Sequence, residues 1–164
     1  MNKSLSIAIG AALLAIVVKL SIFSIYGSET PYDEYPRYGY LLIVLGAVYF
    51  GIVAFKKQVN APTPFLEDAK EGTKTGAIFA LLMAAFSYIY YSFIDKAYFA
   101  NKIAEKVRLA SEQLDEKGIK AVTGSSEVIF SAFFHSTITL MGFLFLSIIY
   151  SLILTFLIRK IPQY

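Results

Sequence analysis

The 164-residue sequence contains no cysteine, no tryptophan and a single histidine, and only 16% of its residues are charged. Without cysteine the chain has no disulfides, thiolate nucleophiles or cysteine-ligated zinc and iron–sulfur sites. One histidine without a second nitrogen or sulfur ligand does not predict a metal site. The scarcity of charge argues against a soluble domain, in which about a quarter of the residues are charged.

Apolar residues are abundant instead, at 57% of the chain. A helix needs about 20 mainly apolar residues to cross a bilayer, and four segments meet that requirement. We therefore predict an all-α polytopic membrane protein whose spans are embedded in lipid. Residues 1–164 are predicted to form a single transmembrane domain, a four-transmembrane-helix bundle with spans at about 5–26, 38–55, 76–94 and 137–158.

The last apolar run, Val128 to Ile158, is too long for one straight crossing. Its first part is rich in hydroxyl groups and contains the histidine. We expect the span to begin near Thr137, with Val128 to Ser136 as a helical extension at the membrane interface.

The loop of about residues 97–127, between the third and fourth spans, predicts an amphipathic helix. Apolar residues recur there at helical spacing, with charged residues between them, and Gly118 is predicted to end the helix. The apolar positions are Phe99, Ile103, Val107, Ala110 and Leu114. This helix either lies on the membrane or presents a face to a partner.

Lysine and arginine near the span ends indicate the orientation. When the loops and termini are assigned alternately to the two sides of the membrane, each side has seven basic residues. Two doublets directly abut span ends on one side, Lys56-Lys57 and Arg159-Lys160, whereas most of the other seven lie within the longer loop. We therefore expect both termini to be cytoplasmic and the 97–127 loop to be external.

Small residues recur at every fourth position on two of the spans. Such faces let helix backbones approach closely in lipid, so they predict helix packing within the bundle or self-association. The predicted packing residues are Gly72, Gly76, Ala80 and Ala84 on the third span, and Ser147, Ser151 and Thr155 on the fourth.

Three polar residues within or beside the spans are candidate functional groups: Lys19, Asp95 and His135. Lys19 is the one charge well inside a span, where it either extends toward the headgroups or pairs with Asp95 or a lipid phosphate. Asp95 is either a solvated helix-end carboxylate or a partner of Lys19 or His135. His135 is either a packed interfacial residue or a general base or pH sensor.

The sequence lacks the phosphate-binding, dinucleotide-binding, metalloprotease and serine-hydrolase signatures. We therefore predict no catalytic, cofactor-binding or metal-binding residues, and no cofactor. The basic residues form no exposed stripe, so nucleic acid is not a predicted partner.

The chain resembles a bacterial membrane family known only as domain of unknown function 4199. The resemblance covers most of the chain and rests on four segments: Met1 to Ser4, Phe65 to Gly76, Tyr90 to Asp95, and Ile148 to Lys160. It implies a four-helix protein of the bacterial cytoplasmic (inner) membrane. It implies no established activity, so no site residue is carried over.

Together these features favour a non-enzymatic accessory or scaffolding subunit of the bacterial envelope. Its predicted partners are the lipid bilayer and either a second copy, giving a homo-oligomer, or another envelope membrane protein. Two alternatives stay open. One is an oligomeric transporter of small molecules or ions, in which Lys19, Asp95 and His135 line a polar cavity. The other is a subunit of a lipid- or glycan-processing membrane enzyme.

Overall fold

A computed structural model describes residues 3–28 and 35–161, with the backbone alone for residues 35–37. Six α-helices account for most of this chain. They are α1 (Lys3–Tyr26), α2 (Tyr35–Val59), α3 (Phe65–Ile89), α4 (Ala97–Ser111), α5 (Glu116–Ile129) and α6 (Ala132–Ile158). A π-helical turn, Tyr90–Ile94, continues α3.

Four of these segments are long and apolar enough to cross a membrane: Lys3–Tyr26, Tyr38–Val59, Phe65–Ile94 and Ala132–Ile158. Large apolar side chains remain exposed along them, such as Leu13, Leu42, Leu81 and Phe145. Lipid is the solvent that accommodates such surfaces around helices whose backbone hydrogen bonds are internal. The prediction of an all-α polytopic membrane protein is confirmed.

The contacts within the chain group it into two compact units, residues 1–83 with 140–164, and residues 84–139. In the first unit α1 packs against α2 and buries one alanine-rich face, Ala8, Ala12 and Ala15. Ser4 at the start of α1 donates a 2.6 Å hydrogen bond to Glu71 of α3. The first turn of α1 is thereby tied to the first half of α3.

The connection between α2 and α3 is short and made of residues suited to turns. Asn60 ends α2 with φ of 50°, a left-handed conformation that asparagine tolerates, and its N–H bonds the Lys56 carbonyl at 3.0 Å. Pro64 directly precedes α3, and its carbonyl accepts from the N–H of Glu67 at 3.1 Å. The third span therefore begins within a helix that starts at Phe65, well before the predicted residue 76.

In the second unit the segment between the third and fourth spans forms two helices, α4 and α5, which pack on each other. The prediction of one helix that stops at Gly118 was wrong. The Asp115 side chain accepts a 2.9 Å hydrogen bond from the N–H of Gly118 and caps α5. Because this cap supplies an acceptor to the free N–H groups, Gly118 lies in a first helical turn despite its low helix propensity.

The predicted helical extension from Val128 to Ser136 was also wrong. The chain leaves the helical conformation at Phe130, where ψ is 59°, and Ser131 Oγ then accepts from the N–H of Phe134 at 3.2 Å. That hydroxyl caps a new helix, α6, so the fourth span begins at Ala132 rather than near Thr137.

Candidate functional site

In the first unit, α3 contacts both α2 and α6 through faces that repeat every fourth residue. A Cβ placed on Gly72 of α3 would lie 2.5 Å from Ser151 Oγ of α6 and 2.8 Å from Ile52 Cγ1 of α2. Gly76 faces Ser147 and Val48 in the same way. From Gly72 to Gly76 the residue numbers increase along α3, whereas those of the contact partners on α2 and α6 decrease. α3 therefore runs antiparallel to both neighbours.

The predicted packing residues therefore lie mostly on this contact. Ser151 donates a hydrogen bond to the carbonyl oxygen of Ala69 on α3. The ring centroids of Phe79 and Phe143 lie 5.2 Å apart in an edge-to-face arrangement. Ala80 and Thr155 are fully buried, and Ala84 is 8% exposed.

Continued in steps of four residues, each face reaches a charged residue. The face of α2 that carries Val48 and Ile52 continues to Lys56, that of α3 continues to Asp68, and that of α6 continues to Arg159. Since the helices are antiparallel and in register, the three charges arrive at the same end of the unit. With Thr63 of the connecting turn they form what we term the Asp68 cluster.

Asp68 is fully buried at the centre of this cluster. Its Oδ1 accepts a 2.5 Å hydrogen bond from Thr63 Oγ1. Its Oδ2 accepts from Arg159 Nε at 3.0 Å and Nη2 at 2.9 Å, and Lys56 Nζ lies 3.4 Å away. Both carboxylate oxygens are occupied, so protein donors replace water around this buried side chain.

Arg159 makes two further contacts that fix its position. It donates a hydrogen bond to the Thr63 carbonyl oxygen, and its guanidinium carbon lies 5.6 Å from the centre of the Phe65 ring. The cluster thus joins the end of α2, the connecting turn, the start of α3 and the end of α6. Its arrangement suits holding three span ends together and presenting positive charge beside the membrane.

Sequence reasoning assigned Lys56 and Arg159 only to topology and did not single out Asp68 or Thr63. A signal was nevertheless present. The series Gly72, Gly76, Ala80 extends backward by four to Asp68, and Ser147, Ser151, Thr155 extends forward by four to Arg159. A charge that continues a packing face is directed into the bundle rather than away from it.

Two hydroxyls on the α6 face differ in a way that yields a prediction. Ser151 has the hydrogen bond described above, whereas Thr155 Oγ1 is buried with no hydrogen-bond partner among the described residues. We expect Thr155→Val to raise the free energy of unfolding by about 1 kcal/mol, because it removes an unsatisfied polar atom. Ser151→Ala should lower it by about 1 kcal/mol. Unfolding in detergent micelles measures both, and equal effects would show that the two hydroxyls are equivalent.

In the second unit, His135 lies within a group of aromatic rings. Its ring centroid is 4.8 Å from that of Tyr91 and 5.7 Å from that of Phe99. Tyr91 also contacts Tyr98, at 5.1 Å. These contacts place the histidine as one member of a packed aromatic cluster.

Asp95 ends the π-helical turn in the same unit and is 4% exposed. Its N–H bonds the carbonyl of Tyr90, five residues earlier, at 2.9 Å, and Tyr90 Oη lies 3.3 Å from its Oδ2. The Tyr90 and Tyr91 rings are 4.9 Å apart, so Asp95 and His135 contact neighbouring members of one aromatic group. Lys19 lies in the other unit, on α1, and is half-buried.

No group of three or more histidine, cysteine, aspartate or glutamate side chains suited to hold a metal ion occurs in residues 3–28 and 35–161. The chain matches no curated protein and no solved structure significantly. The model of the family described as "Protein of unknown function (DUF4199)" matches residues 6–160, which confirms the resemblance seen in the sequence. This match covers nearly the whole chain, and the protein therefore belongs to the DUF4199 family.

Proposed function

We propose that this protein is a non-enzymatic accessory or scaffolding subunit of the bacterial cytoplasmic membrane. The proposal rests on the hydrogen bonds and ion pairs that polar side chains form inside the α2–α3–α6 bundle. Asp68 binds both Lys56 and Arg159, Ser151 donates a hydrogen bond to the Ala69 carbonyl, and Thr75 donates a 3.0 Å hydrogen bond to the Glu71 carbonyl. Polar side chains engaged in this way stabilise one arrangement of the helices.

The close approach of the helix backbones supports the same role. Packed interfaces resist continuous deformation, so a bundle with glycine–serine contacts along its length favours a fixed shape. A fixed membrane bundle with an amphipathic pair of helices, α4 and α5, is suited to holding a partner in place. The proposed partner is a second copy of the chain or another envelope membrane protein.

Site-specific photo-crosslinking in intact membranes tests this role. A photoreactive residue is placed at Leu109 of α4, at Phe145 of α6 and at Leu13 of α1, which are all exposed. We expect a discrete protein–protein adduct from at least one of these positions, identified by mass spectrometry of the full-length protein. Lipid adducts alone at all three positions would overturn the scaffold proposal.

The distribution of charge supports an orientation with both termini in the cytoplasm. Each side has seven lysine and arginine residues, so their number alone does not distinguish the two sides. Basic residues close to span ends carry the most weight for orientation, and the two basic doublets lie directly at span ends on the side that contains Lys3 and the Asp68 cluster.

The absence of cysteine makes this orientation simple to test. We expect a membrane-impermeant maleimide to label Gln113→Cys, in the turn between α4 and α5, in intact cells. Lys57→Cys, at the end of α2, should be labelled only after the membrane is permeabilised. The reverse pattern would invert the orientation, and the unmodified chain is the unlabelled control.

A further inference from the structure

The Asp68 cluster contains two cationic side chains and one carboxylate. Lys56 Nζ and both bonding nitrogens of Arg159 approach the same oxygen, Asp68 Oδ2. The Lys56 side chain is only 10% exposed and that of Asp68 only 1%. The cluster therefore holds excess positive charge where water screens it poorly.

The helix dipoles reduce this excess without removing it. α2 and α6 end at the cluster, and their carbonyl ends favour cations. α3 begins there, and its amino end favours an anion. Two carbonyl ends and one amino end together compensate about half of one charge, so the cluster remains net positive.

Arg159 retains hydrogen-bond donors for a further anion. Its side chain is 33% exposed, and within the described chain only its Nε and Nη2 form hydrogen bonds. Lys57 and Lys160, the next residues along the chain from Lys56 and Arg159, are exposed. A planar guanidinium with free donors is well suited to a phosphate group.

The position of the cluster at the span ends indicates which molecule supplies the phosphate. Arg159 directly follows Ile158, the last residue of the fourth span, and Lys56 lies in the final turn of the second span. Both side chains are thus at the level of the lipid headgroups, where phosphodiesters are the most concentrated anions. We propose that Lys56 and Arg159 bind the phosphate of an anionic lipid headgroup. This binding site is independent of the scaffold role.

Titration of the full-length protein in neutral detergent with phosphatidylglycerol or phosphatidylcholine tests the site, with bound lipids counted by native mass spectrometry. Lys74→Gln is the matched control, because Lys74 is a cation of the same side that bonds Glu71 at 3.0 Å, outside the cluster. We expect Arg159→Gln and Lys56→Gln each to lose about tenfold more phosphatidylglycerol affinity than Lys74→Gln loses. Equal losses in all three variants, or no preference for phosphatidylglycerol, would overturn the site.

Asp68→Asn tests the same site through an expected increase, rather than a loss, of lipid affinity. It removes the carboxylate that competes for the two cations, so the variant should bind phosphatidylglycerol several-fold more tightly than the wild type. Its melting temperature should also rise more on addition of that lipid. Unchanged or weaker binding by Asp68→Asn would contradict the proposal, and this variant decides the matter if Arg159→Gln does not fold.

Competition with soluble phosphates shows whether the ligand is a lipid headgroup or a free phosphate. Inorganic phosphate and glycerol 3-phosphate should displace phosphatidylglycerol only at concentrations far above that of the lipid. If either displaced it at a comparable concentration, the site would take a soluble phosphate and the lipid assignment would be wrong.

Discussion

Replacing Asp68 by alanine is expected to lower the free energy of unfolding by about 3–5 kcal/mol. The substitution leaves Lys56 and Arg159 close together without their shared carboxylate and removes the acceptor of the Thr63 hydroxyl. Breaking a buried ion pair is costly because a poorly hydrated charge loses its partner, here the Lys56 ammonium, whose side chain is 10% exposed. Unfolding by sodium dodecyl sulfate from mild detergent micelles, followed by circular dichroism, measures the change.

Glu67→Ala is the matched control for Asp68→Ala. Glu67 is also acidic and in the first turn of α3, but its side chain is exposed. Since both positions gain the same weak benefit from the helix dipole, Glu67→Ala should cost at most about 1 kcal/mol. Similar losses in the two variants would mean that the dipole, rather than the buried cluster, accounts for the effect of Asp68.

A second, somewhat smaller effect is expected where the helices are closest. Gly76→Val should lower the free energy of unfolding by about 1–3 kcal/mol or prevent assembly of the bundle. A Cβ at Gly76 would overlap Ser147 of α6 and lie 3.1 Å from Val48 Cγ2 of α2. The backbones must therefore separate, and the Ser147, Ser151 and Phe143 contacts separate with them.

Gly142→Val on α6 is the control for this steric argument. A Cβ at Gly142 meets no atom within 4 Å, and the residue is exposed. The same side chain is added to a transmembrane helix, so unfolding of this variant should match the wild type to within about 0.5 kcal/mol. A large loss from Gly142→Val would show that valine is unfavourable for reasons other than crowding.

The four spans could be predicted from the sequence because span length and apolar content are local properties. Where the spans begin was harder. Phe65 to Thr75 contains several charged residues, and the helix of the third span nevertheless begins at Phe65. Gly118 was interpreted from its usual position after a helix, and the cap formed by Asp115 placed it inside one instead.

The Asp68 cluster could be predicted only in part, because it depends on three helices arriving in register. Asp68 lies 12 residues from Lys56 and 91 residues from Arg159 along the chain, and each of the three has an ordinary local explanation at a helix end. The spacing of small residues indicated a face on α3 and another on α6, but not which residues oppose each other. A functional role for Lys19, Asp95 or His135 stays a prediction.

A double-mutant cycle between Asp68 and Arg159 measures most directly whether the span ends are joined through this carboxylate. Unfolding is compared for the wild type, Asp68→Asn, Arg159→Gln and the double variant, in one detergent and at one salt concentration. We expect a coupling energy of about 2–3 kcal/mol, since residues within one buried charge network are strongly non-additive. Additive losses, with a coupling near zero, would contradict the joining of α2, α3 and α6 by the Asp68 cluster.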